Sequence, residues 1–134
     1  YQTIKGISAA AQVVRKDGVI LCASECADGF PSHGEYRQIL AERETPDELL
    51  KMICTPGYRQ PDQWEVQIQA QVQQHARVFL KAEGLTDTEI RAAHLSPIDD
   101  IGAAAREHLS RRGRHARLCV LPEGPQTIPY LKDH

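Results

Sequence analysis

Val19-Ile20-Leu21-Cys22-Ala23-Ser24 is an uninterrupted apolar run that follows a turn signal at Lys16-Asp17-Gly18. A short run of this kind is typical of a β-strand that is covered on both faces, because neither of its faces is polar. Further apolar runs predict core strands at residues 77–80 and 118–121, and residues 127–131 are a candidate edge strand.

Helix signals lie between these strands. Three predicted helices cover residues 8–14, 35–42 and 61–75. Three more start at Thr45-Pro46, at Thr86-Asp87 and at Ser96-Pro97, and the last of these ends at Gly113. The starts at Thr45 and Thr86 are well defined, because each threonine has a glutamate three residues on, the pattern of a capping box. Helices between strands imply crossover connections and hence parallel pairing. We predict one α/β domain over residues 1–134, with three layers: a mainly parallel sheet of three to four strands and helices on both faces.

Composition and charge exclude several classes of protein. The chain has 134 residues, a formal net charge of -2 and a pI near 6.3, with acidic residues spread along its length. Nucleic-acid binding depends on a clustered basic face, whereas the basic run Arg111-Arg112-Gly113-Arg114-His115 lies at a predicted helix end, where it complements the helix dipole. No membrane span or signal peptide is visible. We expect a soluble, cytoplasmic protein that binds neither nucleic acid nor membrane.

The cysteines and most histidines predict no metal site. Cys22 and Cys119 fall in apolar runs and are interpreted as small buried hydrophobes. Cys22 and Cys26 are separated by three residues, a poor zinc spacing, and no second pair of ligands lies nearby in sequence. The histidines that fall near helix ends or on polar faces are expected at the surface: His75, His94, His108 and His115.

The loop at residues 25–34 is one candidate for function. It follows the first predicted strand, and ligands of parallel α/β sheets bind beyond the carboxyl ends of the strands. Its length is unusual for a strand-to-helix connection, and such loops are often functional. Asp28 and His33 are its possible ligand-binding residues. Asp28 could instead accept hydrogen bonds from loop amides, and His33 could be a solvated residue at a helix start.

A second candidate site combines Gln2, Lys5 and Trp64. Lys5 follows Gln2 by three residues and precedes a predicted helix, so its ammonium and the Gln2 amide could converge on one carboxylate or phosphate. Trp64, the only tryptophan, stands beside a carboxylate and an amide and could supply a flat apolar wall to a polar ligand site. Structural alternatives are a solvated lysine near a chain end, and a core stripe of Trp64, Ile68 and Val72 at four-residue spacing.

Six short motifs follow one another along the chain: Tyr1-Gln2-Thr3-Ile4-Lys5-Gly6-Ile7 before an alanine-rich helix, Asp17-Gly18-Val19-Ile20-Leu21, Glu25-Cys26-Ala27-Asp28-Gly29, His33-Gly34, Asp62-Gln63-Trp64 and Val120-Leu121-Pro122-Glu123-Gly124. In order and spacing, the sequence resembles the C-terminal domain of the nickel-dependent lactate racemase family, essentially from end to end. The sequence departs from the family at Phe30-Pro31-Ser32, which separates Asp28-Gly29 from His33-Gly34. In the family's loop, an Asp-Gly pair is usually followed directly by a His-Gly pair.

The resemblance implies a two-domain enzyme with its active site in the cleft between the domains. Family members are isomerases that racemise or epimerise 2-hydroxy acids with a nickel-pincer nucleotide, and the catalytic histidines belong to an N-terminal domain absent from this sequence. For this chain it implies Gln2, Lys5 and Trp64 on the cleft wall, a small 2-hydroxy acid such as lactate as substrate, and the N-terminal domain as partner. The isolated domain is then expected to be inactive and to hold no cofactor or metal. An alternative from another class is a stand-alone module that binds a small anion or a protein through residues 25–34 without catalysis.

Overall fold

The computed structural model describes residues 2–130 of the chain. Its helices and strands are α1 (Gln2–Ala11), β1 (Gly18–Ser24), α2 (Tyr36–Ala41), α3 (Pro46–Ile53), α4 (Gln63–His75), β2 (Ala76–Ala82), α5 (Asp87–Ala92), β3 (Ser96–Pro97) and α6 (Ile101–Arg112). Two short 3-10 turns follow, at Gly113–His115 and Gly124–Gln126. None of the helices in this range is long and apolar enough to cross a membrane.

The strands form one parallel sheet in the order β1, β2, β3. β1 pairs with β2 in a register that places Ile20 beside Val78, and β2 pairs with β3 through Phe79 and Ser96. The crossover from β1 to β2 contains α2, α3 and α4, and the crossover from β2 to β3 contains α5.

Helices cover both faces of the sheet. Ile20, Val78 and Leu80 are buried on one face, in a core shared with α1 and α4. The alternate residues of β2 point to the other face, where the centroid of the Phe79 ring lies 5.3 Å from that of the His108 ring on α6. The predicted α/β architecture, a parallel sheet with helices on both faces, is therefore confirmed.

The predicted helix starts at Thr45 and Thr86 are also confirmed. Thr45 Oγ1 accepts the backbone N–H of Glu48 at 3.3 Å, and Pro46 occupies the first turn of α3, where no intrahelical N–H is needed. Thr86 and Glu89 form a reciprocal capping box, in which each side chain accepts the other residue's backbone N–H.

Two helices start elsewhere than predicted. α1 begins at Gln2 rather than at Ser8, so that Lys5 lies inside a helix instead of before one. α6 begins after Asp100, whose Oδ1 accepts the N–H of Ala103 at 2.8 Å, and not at Ser96. Aspartate is as favourable an N-cap residue as serine, and α6 begins after Asp100, four residues beyond Ser96.

The strands predicted at residues 118–121 and 127–131 are wrong as far as the structure describes them. Residues 116–123 and 127–130 contain no strand, and residue 131 lies outside the described residues. The third strand is Ser96–Pro97, at an edge of the sheet where the missing N–H of proline does no harm. An apolar run forms a strand only where neighbouring strands and a core cover it, and Leu118 and Val120 are both exposed.

Candidate functional site

Side-chain hydrogen bonds join the carboxyl end of β1 to the start of α1. Thr3 Oγ1 lies 2.9 Å from Ser24 Oγ and 3.6 Å from Cys26 Sγ, and Cys26 Sγ donates to Ser24 Oγ at 3.5 Å. Gln2 and Lys5 share the first turn of α1 with Thr3, and both are exposed. The first turn of α1 therefore lies at the edge of the sheet where parallel α/β proteins bind ligands.

The first half of the loop after β1 folds against Gly84, the second residue after β2. The N–H of Gly29 donates to Cys26 O, and the N–H of Gly84 donates to Glu25 O, each at 2.8 Å. Gly84 passes so close to the loop that a Cβ on it would overlap the Cys26 carbonyl oxygen. Asp28 is exposed within this turn, on the side of the loop that adjoins the end of β2.

The second half of the loop is held by Asp62, the residue before α4. Its carboxylate accepts the N–H of Glu35 at 3.0 Å instead of capping its own helix. Gly34 has a φ of 70° and packs so closely that a Cβ on it would overlap Asp62 Oδ2. His33 is exposed next to this contact, in the opposite half of the loop from Asp28. Asp62 thus has a structural role in supporting the loop. Trp64 is therefore the candidate ligand-binding residue of the motif Asp62-Gln63-Trp64.

Trp64 stands on the first turn of α4 with 47% of its surface exposed, which excludes the core alternative. The predicted core stripe is wrong, because Val72 is buried, Ile68 is half-buried and Trp64 is exposed. Apolar residues occupy every second position from 64 to 72, and a helix with 3.6 residues per turn distributes such positions around its axis. The buried face of α4 consequently includes two polar side chains, Glu65 and Gln69.

Glu65 is a buried carboxyl group at the contact between α1 and α4. It is 1% exposed, and its Oε1 has no hydrogen-bond partner among residues 2–130. Burial raises the pKa of Glu65, because the charged form loses its hydration, while the positive charge of Lys5 acts in the opposite direction. Lys5 lies on the first turn of α1 and Trp64 on the first turn of α4, and these two helices are in contact.

A second buried polar group ties three helices together. The Tyr36 hydroxyl donates to Gln69 Oε1, and Gln69 Nε2 donates to Ala93 O at 2.6 Å. Burial also raises the pKa of Tyr36, so the phenol stays protonated and remains a donor. These bonds connect α2, α4 and the end of α5 and explain why Gln69 can be buried.

Three of the four histidines expected at the surface are half-buried: His75, His94 and His108. Nε2 of His75 donates to Val14 O, and Nε2 of His94 donates to Leu40 O, each at 2.8 Å. A hydrogen bond to a backbone carbonyl oxygen holds each of these two imidazoles against the protein, which explains why they are not fully solvated. His115 is exposed, as predicted.

The cysteines are free and differ in burial. Cys119 is exposed, so the prediction that it is buried is wrong, whereas Cys22 is half-buried in β1. Burial, with a smaller effect of Cys26, raises the pKa of the Cys22 thiol to about 11. Within residues 2–130, no cluster of three or more histidine, cysteine or carboxylate side chains could hold a metal ion.

Comparison with known proteins identifies the family. The lactate racemase C-terminal domain profile matches residues 1–128. The lactate racemase of Thermoanaerobacterium thermosaccharolyticum is 30% identical over 130 residues, covering 96% of this chain and 30% of the relative. That of Lactiplantibacillus plantarum is 30% identical over 126 residues, covering 92% and 30%.

The structural comparison agrees. The lactate racemase apoprotein from Thermoanaerobacterium thermosaccharolyticum superposes with a TM-score of 0.78 and 27% identity, over 90% of this chain and 29% of that one. The chain thus spans about 30% of the length of the relatives that it matches. By both sequence and structure, this chain belongs to the lactate racemase C-terminal domain family.

Proposed function

We propose that this chain is the cleft-lining C-terminal domain of a two-domain, nickel-pincer-dependent racemase or epimerase of 2-hydroxy acids. In this proposal Gln2, Lys5 and Trp64 bind the substrate, and a cytoplasmic N-terminal domain of the same polypeptide carries the catalytic histidines. The observation that carries the proposal is the exposure of Lys5 and Trp64 on the first turns of two helices in contact, in a member of the lactate racemase C-terminal domain family.

The electrostatics of the first turn of α1 favour a carboxylate ligand. A helix N-terminus carries a partial positive charge and unpaired N–H groups, and scaffold helices usually place acidic residues there. The first turn of α1 has no acidic residue and adds the ammonium of Lys5. Glu65 lies buried where α1 meets α4, and burial raises the pKa of its carboxyl group. The combination fits the carboxylate of a 2-hydroxy acid.

Racemisation at C2 requires that the substrate stay oriented while its reacting carbon changes configuration. Charge-assisted hydrogen bonds from the Lys5 ammonium, supplemented by the Gln2 amide, would fix the carboxylate during this change. The half-exposed Trp64 ring would form a wall that limits motion of the substrate and excludes water.

The nickel-pincer nucleotide would supply hydride exchange at C2 in the full-length protein. Among residues 2–130 no suitable cluster of side chains could hold the metal ion. In this proposal the residues of this domain bind and orient the substrate, and the cofactor belongs to the remaining part of the polypeptide.

In this proposal Asp28 and His33 contribute to the cleft through the loop at residues 25–34. The residues inserted between them are anchored to α2: the Arg37 guanidinium lies 5.0 Å from the Phe30 ring centroid, and Phe30 meets Tyr36 edge-on at 6.3 Å. This anchoring leaves Asp28 and His33 exposed on two separate sides of the insertion. We propose that the insertion adapts the cleft to a particular 2-hydroxy acid.

Lys5→Ala in the full-length, cofactor-loaded protein tests the proposal. Loss of one charge-assisted contact should lower kcat/KM about 10- to 100-fold. Lys16→Ala is the matched control, because Lys16 is also an exposed lysine and lies before the opposite end of β1. Unchanged turnover of every 2-hydroxy acid that the parent accepts would contradict the role of Lys5. Anion or protein binding through residues 25–34, without turnover by the full-length protein, would favour the stand-alone module.

A further inference from the structure

Exposed apolar side chains are concentrated near the end of the described chain. Leu118 is 60% exposed, Val120 71%, Ile128 91% and Tyr130 83%. Together with Trp64, these are the exposed large hydrophobic residues of the part of the chain that the structure describes. Single exposed apolar residues are ordinary, but a group of them within one segment indicates a surface that something else covers. We name these four residues the C-terminal apolar surface.

The spacing of these residues suits an extended contact. Leu118 and Val120 are two residues apart, as are Ile128 and Tyr130, and neither pair lies in a helix. Side chains two residues apart on an extended backbone point to the same side. Residues 118–121 also have the composition of a strand but pair with no strand of the described sheet.

The 3-10 turn Gly124–Gln126 anchors this surface to α1. A Cβ on Gly6 would lie 3.3 Å from Pro125 Cδ, and a Cβ on Gly124 would lie 3.1 Å from Gly6 Cα. These distances mean that the turn and the helix are in direct contact. Because Gly6 follows Lys5, the segment that carries the C-terminal apolar surface is attached to the helix that carries Gln2 and Lys5.

We propose that the C-terminal apolar surface packs against the remaining, cofactor-bearing part of the same polypeptide, an inference that rests on the proposed function. The chain matches only 30% of the length of the lactate racemase relatives, so most of such a polypeptide lies beyond the domain described. A domain that closes a cleft over Lys5 must also contact the elements beside α1, and the segments that flank Gly124–Gln126 are such elements. Domain interfaces within a chain bury roughly 600–1,500 Å², which extends well beyond a ligand cleft.

Hydrogen exchange of the full-length protein tests this proposal, with Val120→Asp and Ile128→Asp as variants. In the unsubstituted protein, the amides of residues 118–121 should exchange at least about tenfold more slowly than those of an unstructured segment. Either variant should abolish this protection. Ala103→Asp is the matched control, because Ala103 is exposed on α6 and gains the same charge. Protection of β2 in every variant separates loss of docking from loss of fold.

Two results would overturn the proposal. The first is a lack of protection at residues 118–121 in the unsubstituted protein, or protection that survives either charge substitution. The second is protection that disappears on dilution together with a dimer detected by light scattering, since this assigns the surface to a second copy. Neither readout depends on turnover. If residues 118–121 are protected but Lys5→Ala is fully active, the substrate-binding role of Lys5 is refuted while the proposed domain interface stands.

Discussion

Gly34→Ala should destabilise the protein more than the addition of one methyl group suggests. Gly34 has a φ of 70°, a conformation that costs a residue with a Cβ about 1–2 kcal/mol. The added Cβ also overlaps Asp62 Oδ2, and this carboxylate can move away only by losing its hydrogen bond from Glu35 N–H. A hydrogen bond to a charged acceptor contributes about 1.5–3 kcal/mol, so the free energy of unfolding should fall by about 2.5–5 kcal/mol.

Gly57→Ala separates the two contributions. Gly57 has a φ of 90°, but no atom lies within 4 Å of where its Cβ would stand. This variant therefore adds backbone strain without displacing a neighbour, at a cost of about 1–2 kcal/mol. Urea unfolding gives both free energies, and the single tryptophan, Trp64, provides a fluorescence signal two residues from Asp62.

Asp62→Ala completes a double-mutant cycle. In a protein without this carboxylate, Gly34→Ala should cost no more than Gly57→Ala, which corresponds to a coupling of about 1.5–3 kcal/mol between Gly34 and Asp62. Equal losses for Gly34→Ala and Gly57→Ala in the otherwise unsubstituted protein would refute the reasoning. That outcome would mean that the carboxylate moves aside at no cost and does not hold the loop to the start of α4.

Local signals in the sequence predict the parts of this fold whose residues interact with near neighbours. The caps at Thr45 and Thr86 act over three residues, and the apolar run of β1 is bounded by turn residues on both sides. The parallel sheet follows from the helices between strands, and the position of the loop follows from the sheet. The substrate-binding roles of Gln2, Lys5 and Trp64 come from the family resemblance, because spacing alone leaves structural alternatives open for each of them.

Contacts between residues far apart in sequence explain what could not be predicted. Residues 118–121 are as apolar as β1, and the two segments differ only in whether a strand and helices cover them. The apolar residues of α4 occur at every second position, and residues two apart do not lie on the same face of a helix. The buried face of α4 therefore includes Glu65. The alternation was the available signal for this burial, whereas no local pattern indicates that Gly84 packs against Cys26.

The remaining predictions concern α4. Trp64→Ala in the full-length protein should lower kcat/KM about tenfold and the free energy of unfolding by at most about 1–2 kcal/mol, because the ring is half exposed. Val66→Ala, at a fully buried position, should show the reverse pattern with a stability loss of about 2 kcal/mol, and similar profiles for both variants would argue against a binding role of Trp64. Glu65→Gln should change the pH dependence of stability. The pKa of Glu65 is raised on folding, so the folded state binds its proton more tightly, and the free energy of unfolding falls as pH rises from the unfolded pKa, about 4.3, through the folded pKa. Glutamine does not titrate, so the free energy of unfolding of the variant, measured by urea titration, should rise relative to that of the parent between pH 4 and pH 7. A difference that is constant across this range would show that Glu65 remains as acidic in the folded protein as in the unfolded chain.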